Sequence, residues 1–160
     1  MASHTKNFTF CGYCVLQAPR ALAMAHHVVV EHLHSAEAVD EAIFREAETQ
    51  RLLVVRFGQS AHADCLRVDA VMAAVAERVG PVAAPYAVDI DEVQDFNAMY
   101  ELHVRPGTVM FFYGNLCVDV RGPCSRDDIV WDAYGGDDFA GLVMAVHEKA
   151  RAGRRLVVLG

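Results

Sequence analysis

The sequence predicts an α/β fold: a mixed, mostly parallel sheet with helices on both faces and an antiparallel hairpin at one edge. Three observations predict it. Short β-branched runs alternate with segments whose apolar residues recur at helical spacing. One run, 52–57 (Leu-Leu-Val-Val-Arg-Phe), is almost unbroken in apolar residues, as a strand covered on both faces requires. Near the C-terminal third, Gly114-Asn115 separates two β-rich runs by a two-residue turn signal.

Taken in order, 28–33 is short and β-branched and reads as a first strand. Ser35 can cap a helix in which Ala38, Val39, Ala42 and Ile43 lie on one side, fading near Thr49. The 52–57 strand ends at Gly58. A long amphipathic helix follows over 64–79, carrying Leu66, Val68, Ala70, Val71, Ala74, Val75 and Val79, and Gly80-Pro81 stops it. Residues 86–89 form a third strand. Residues 91–102 form a polar helix with Val93, Phe96, Met99 and Tyr100 on one side. Arg105-Pro106-Gly107 turns the chain into strand 108–113, and 116–120 returns beside it. A last helix opens at Asp137 or Asp138, buries Phe139, Leu142, Val143, Val146 and Ala150, and ends by Gly153. Alternating strands and helices imply a parallel sheet, to which the late hairpin adds an antiparallel edge. The whole order, β-α-β-α-β-α-β-β-α, is that of a thioredoxin-like fold.

The composition narrows the function. With 160 residues, 54% apolar and 22% charged, the chain suits one packed domain. A boundary is expected near residue 27, with 1–27 a flexible extension and 28–160 the domain. The first 30 residues hold Lys6 and Arg20 and no acid, so a transit peptide or a start upstream of Met24 also fits. No apolar run is long enough to span a bilayer. The net charge of −7 argues against broad phosphate binding, although Lys149, Arg151, Arg154 and Arg155 form a local basic cluster. Five cysteines at irregular spacing do not make a secreted disulfide framework, so a reducing compartment is expected.

Thioredoxin-like enzymes need a Cys-x-x-Cys at the start of the helix after the central strand, where the helix dipole stabilises a thiolate. The matching stretch here runs Gly58-Gln59-Ser60-Ala61-His62-Ala63-Asp64-Cys65. His62 occupies the nucleophile position, and only the resolving Cys65 remains. Ala61 replaces the usual Trp, and Arg56 stands where a buried acid is expected. Dithiol chemistry is therefore lost. Cys65 is either a redox-sensitive thiol or an inert small hydrophobe. His62, Asp64 and Cys65 are too close in sequence to share a tetrahedral metal centre, and they read as a loop His, an N-cap Asp and a core Cys. No metal and no cofactor is expected. Cys11-Gly-Tyr-Cys14 precedes the first strand, so it is a tail feature or half of an intermolecular metal clip. His26, His27, His32 and His34 lie nearby, and His32 and His34, which alternate on one side of a strand, read as surface residues rather than ligands. Cys117 and Cys124 could be bonded to each other, but a reducing compartment argues against it.

Several stretches are more specific than the fold. They are Val54-Val55-Arg56-Phe57-Gly58, the helix from Cys65 to Asp69, the polar run 88–102, Thr108-Val109-Met110-Phe111-Phe112, Trp131, and Arg151-Ala152-Gly153-Arg154-Arg155-Leu156-Val157-Val158. Together they resemble the DIM family, the small thioredoxin-like pre-mRNA splicing proteins of the U5 snRNP, over about 28–158. The chain departs from the family pattern at Ala61-His62-Ala63, where an aromatic-acidic-proline stretch is usual. It departs again at Gly107, where most members carry a cysteine that could meet Cys65. The family starts close to the residue matching Met24, so residues 1–23 read as an addition or as an artefact of the start site, and the family's basic, Tyr-rich tail is not found after Leu159.

The resemblance implies a nuclear, non-catalytic subunit of the U5 snRNP and the U4/U6·U5 tri-snRNP. Its partners would be U5 scaffold and other spliceosomal proteins, with RNA nearby and direct RNA contact left open. It would be a monomer outside the complex. Phe96, Asn97 and Tyr100 on the polar helix are candidate partner contacts, although aromatics at this spacing also suit a core. Arg154 and Arg155 would meet an acidic partner or a phosphate, or merely complement a helix end. Two alternatives remain: a single-cysteine redox protein acting through Cys65, and an adaptor outside splicing.

Overall fold

The computed structural model describes residues 29–124 and 129–160. The Cys11/Cys14 pair, His26, His27 and the expected 1–27 extension lie outside the described residues. Among the described residues, six strands form one sheet in the order β1-β3-β2-β4-β5-β6. The elements are β1 (Glu31–His32), α1 (Ala36–Glu48), β2 (Leu52–Gly58), α2 (Ala63–Val79), β3 (Ala83–Asp89), α3 (Asn97–Tyr100), β4 (Gly107–Tyr113), β5 (Leu116–Arg121), α4 (Gly136–Arg151) and β6 (Leu156–Val158). β2 lies at the centre, parallel to β3 and antiparallel to β4. Every residue of β2 is buried, as its apolar run requires.

Alternation along the strands sends two sets of side chains to opposite faces. Leu52, Val54, Val109, Phe111, Val118 and Val157 face α2 and α4. Leu53, Val55, Phe57, Tyr86, Val88 and Phe112 face α1 and the α3 region. Ser35 caps α1 by accepting the Ala38 N–H at 3.1 Å. α4 buries Phe139, Leu142, Val143, Val146 and Ala150, the expected stripe.

Five local expectations are corrected. The first strand shrinks to two residues. The third strand starts earlier, at Ala83, although Pro85 interrupts it. The even-numbered residues of β3 face β2, since Leu52 N–H donates to the Val82 carbonyl. Pro85 therefore turns its missing donor toward β1, which starts pairing only opposite Tyr86, and no ladder bond is lost. α2 buries Cys65, Val68, Met72, Val75 and Val79, while Leu66, Ala70 and Ala74 lie on its outer side. The helix expected over 91–102 forms only a four-residue turn, because Glu101 takes a left-handed conformation (φ 55°) and a 3-10 turn follows at Leu102–Val104. Met99 is consequently exposed. Finally, β6 pairs parallel to β5, so the β4–β5 hairpin is not the sheet edge.

Candidate functional site

The site where a thioredoxin-like enzyme would react lies between the end of β2, the start of α2 and the turn before β4. His62 is the N-cap of α2, and its Nδ1 accepts the Asp64 N–H at 3.2 Å. The cap is thus the expected loop His62, and Asp64 sits in the first turn instead. An amide that would otherwise stabilise a thiolate at this helix end is engaged by an imidazole.

Cys65 is fully buried. Its Sγ–H donates to the Pro106 carbonyl at 2.9 Å. Burial pushes the thiol pKa up, a push that outweighs the attraction of the nearby Arg56 charge, and Asp69, Asp64 and Asp89 add to the rise. The Arg105–Pro106 peptide is trans. Packing here is tight: a Cβ on Gly58 would lie 2.4 Å from the Pro106 carbonyl oxygen and 2.5 Å from Cys65 Sγ. A Cβ on Gly107 would lie 3.1 Å from the same sulfur.

Beneath the thiol, Arg56 is fully buried and all five of its N–H donors have partners. Nε and Nη2 fork onto the Asp69 carboxylate at 2.7 and 2.6 Å. Nη1 donates to the Gly58 and Val88 carbonyls, each at 3.2 Å, and Nη2 also reaches the Ser60 hydroxyl at 3.5 Å. The buried acid of an enzyme is thus replaced by a saturated cation that ties β2, α2, β3 and the β2–α2 loop together. Asp69 was missed as a site residue. Its signal was there, since it falls four residues after Cys65 and next to Val68 on the inward side of α2. Asp89 anchors the same loop by accepting the Ser60 N–H at 3.0 Å and the Asp91 N–H at 2.9 Å. Burial alone would raise its pKa, but the bonds from Ser60, Asp91 and Glu92 outweigh this and hold it below the usual carboxylate range.

A family model described as mitosis protein DIM1 matches residues 29–159. The chain belongs to the DIM1 family. The mitosis protein dim1 of Schizosaccharomyces pombe is 41% identical over 129 residues, covering 79% of this chain and 88% of that protein. The spliceosomal protein DIB1 of Eremothecium gossypii is 40% identical over 134 residues, covering 82% of this chain and 90% of that protein. Thioredoxin-like protein 4B of Homo sapiens is 30% identical over 126 residues, covering 78% and 83%. Among solved structures, a thioredoxin from Halobacterium salinarum superposes with TM-score 0.56 at 16% identity, covering 76% of this chain and 93% of that one. Chloroplastic thioredoxin z gives 0.54 at 18%, covering 76% and 96%. These two likenesses concern the fold alone, which is thioredoxin-like.

In this DIM1-family chain the candidate contact residues fall into two groups that the structure does not bring together. Phe96 and Tyr100 are half-buried in the core over β2 and β4. Phe96 lies 6.0 Å from Phe57, and Tyr100 meets Phe112 edge-on at 6.3 Å. Asn97 Nδ2 donates to the Ile90 carbonyl at 2.8 Å, while its buried Oδ1 accepts no hydrogen bond among the described residues. Tyr100 also borders a groove of about 140 Å³ with Val104, Met110, Cys117 and Trp131. Arg154 and Arg155 lie on the link between α4 and β6; both are exposed, and Arg155 donates to the Tyr113 carbonyl at 2.8 Å. His34 pairs with Glu92 through Nδ1 at 2.9 Å, and His32 faces Asp69 at 4.0 Å. Cys65, Cys117 and Cys124 are thiols. No three His, Cys, Asp or Glu among the described residues stand together as a metal site, and no described helix is long and apolar enough to cross a membrane.

Proposed function

We propose that this DIM1-family chain is a non-catalytic pre-mRNA splicing factor, a protein-binding subunit of the U5 snRNP and U4/U6·U5 tri-snRNP working in the nucleus, with residues 28–160 as its domain. The observation that carries this reading is the 40% identity to the spliceosomal protein DIB1 of Eremothecium gossypii across nine-tenths of that protein. The site chemistry supports the non-catalytic part. The helix start carries an imidazole where a nucleophile would sit, and the remaining thiol is buried, hydrogen-bonded and held protonated. A thiol in that state is a poor attacking group at neutral pH. The saturated Arg56–Asp69 pair beside it rigidifies the degenerate site.

Recognition of partner proteins is then the remaining work of the surface. Phe96, Asn97 and Tyr100 offer a half-buried aromatic and amide patch, and Arg154 and Arg155 offer charge. The test is affinity purification of the tagged chain from nuclear extract, with the co-purifying proteins and small nuclear RNAs identified. Recovery of U5 proteins with U4, U5 and U6 RNAs is the expected result. Recovery of redox partners or mixed disulfides at Cys65, without those RNAs, would overturn the proposal in favour of a single-cysteine redox protein.

A further inference from the structure

The two edges of the sheet differ. β1 is two residues long, which is one way to blunt an edge against further pairing. β6 is longer, and among the described residues its strand neighbour lies on one side only. Its backbone orientation follows from two bonds to β5: the Arg155 carbonyl accepts from Asp119 N–H at 2.7 Å, and Leu159 N–H donates to the Arg121 carbonyl at 2.9 Å. Polar backbone groups alternate sides along a strand. Val157 therefore also faces β5, and the N–H and C=O of Leu156 and Val158 face away from the sheet. Those same two residues are each 49% exposed, while Val157 is buried in the core under α4. A strand edge with outward donors and acceptors and flanking apolar side chains is a template for another strand.

The charge around this edge selects the occupant. Lys149, Arg151, Arg154 and Arg155 cluster within seven residues of a chain whose net charge is −7. All four are exposed, and among the described residues Lys149, Arg151 and Arg154 pair with no carboxylate. A second copy of this chain would bring the same cations against each other. A polynucleotide would find charge but would leave the outward backbone groups of Leu156 and Val158 unused.

We infer that the β6 edge is a strand-addition site for an extended, acidic segment of a partner protein. The segment adds beside β6 through main-chain bonds to Leu156 and Val158. Its apolar residues cover those two side chains, and its carboxylates meet Arg151 and Arg154. The inference rests on the reading of this chain as a protein-binding subunit.

The probe is a fluorescent octapeptide alternating Val with Glu, titrated into the full chain and followed by anisotropy and by amide NMR shifts and exchange. The expected result is slowed exchange of the Leu156 and Val158 amides, binding that weakens as salt is raised, and little binding of the matching Val-Lys peptide. Val158→Pro removes an outward donor and no donor of the β5–β6 ladder, exchanges one apolar side chain for another, and is expected to weaken binding about tenfold or more. The pair Arg151→Glu with Arg154→Glu lies outside the ladder and is expected to lose the preference for the acidic peptide. Equal binding of both peptides, unprotected Leu156 and Val158 amides, tighter binding of a uridine oligonucleotide at this edge, or self-association through β6 would each overturn the inference. In the purification from nuclear extract, wild type and Val158→Pro recovering the same partners would sink the strand-addition site and leave the splicing reading standing. Wild type recovering none would sink that reading, and the peptide titration would still decide the edge.

Discussion

The Arg56 guanidinium, fully buried in the central strand, forks onto both carboxylate oxygens of Asp69 one element later, at 2.7 and 2.6 Å. A buried cation is tolerated only when every donor is met, and this one is met by a carboxylate, two carbonyls and a hydroxyl. Removing one partner leaves the other charge uncompensated. Arg56→Met and Asp69→Asn are each expected to destabilise the fold by about 3–5 kcal/mol. Combining Arg56→Met with Asp69→Asn is expected to cost less than the sum of the two single losses. Urea unfolding of the four proteins checks this, and additive losses would show that the two residues act independently.

Gly58 is required because its neighbours leave no room for a methyl group. The nearest atom, the Pro106 carbonyl oxygen, belongs to backbone and cannot swing aside. Gly58→Ala is expected to lower stability by about 1–3 kcal/mol through forced displacement of the Pro106 turn. Thermal unfolding measures it, and an unchanged midpoint would refute the steric account.

At Gly107 a side chain would meet Cys65 Sγ at 3.1 Å. That is about the separation between a Cβ and the far sulfur of a disulfide. Gly107→Cys is therefore expected to form a bond to Cys65 under mild oxidant, stabilising the protein by about 2–4 kcal/mol. Mapping the disulfide-linked peptides by mass spectrometry before and after oxidation shows whether it forms; failure to form would mean that the two backbones do not approach as described.

Cys65 should be the slow thiol. Alkylation with iodoacetamide at neutral pH, followed peptide by peptide, is expected to label exposed Cys124 about a hundredfold or more faster than Cys65, which reacts only through local opening. Because the folded thiol pKa is raised, the stability associated with protonated Cys65 is complete below the unfolded value of about 8.5 and is lost as pH rises through the folded value. Fast labelling of Cys65 at neutral pH would revive a redox role.

Asp89 titrates in the opposite sense. Its folded pKa is lowered, so the stability it supplies is complete above the unfolded value of about 4 and is lost as pH falls through the folded one. Asp89→Asn is expected to be less stable than wild type at neutral pH, with the gap closing in acid. Unfolding curves across this pH range test it; a gap independent of pH would assign the loss to geometry rather than charge.

Much of this was legible in the chain itself. The unbroken apolar run of β2, the stripe on α4, the Ser35 cap and the Gly114-Asn115 turn are local patterns, set by neighbours a few residues apart. So was the loss of the nucleophile at His62, because the fold order tells where the Cys-x-x-Cys should stand. The polar run 88–102 pointed to a family, yet its helix was overestimated, since the left-handed Glu101 has no strong local signal. Local sequence cannot report distant partners. That Arg56 takes Asp69, that Cys65 lies beneath Pro106, and that three residues after α4 become an edge strand depended on the register of β2, β4 and β5. Those contacts join residues 13 to 41 positions apart, and only closure of the sheet brings them within bonding distance.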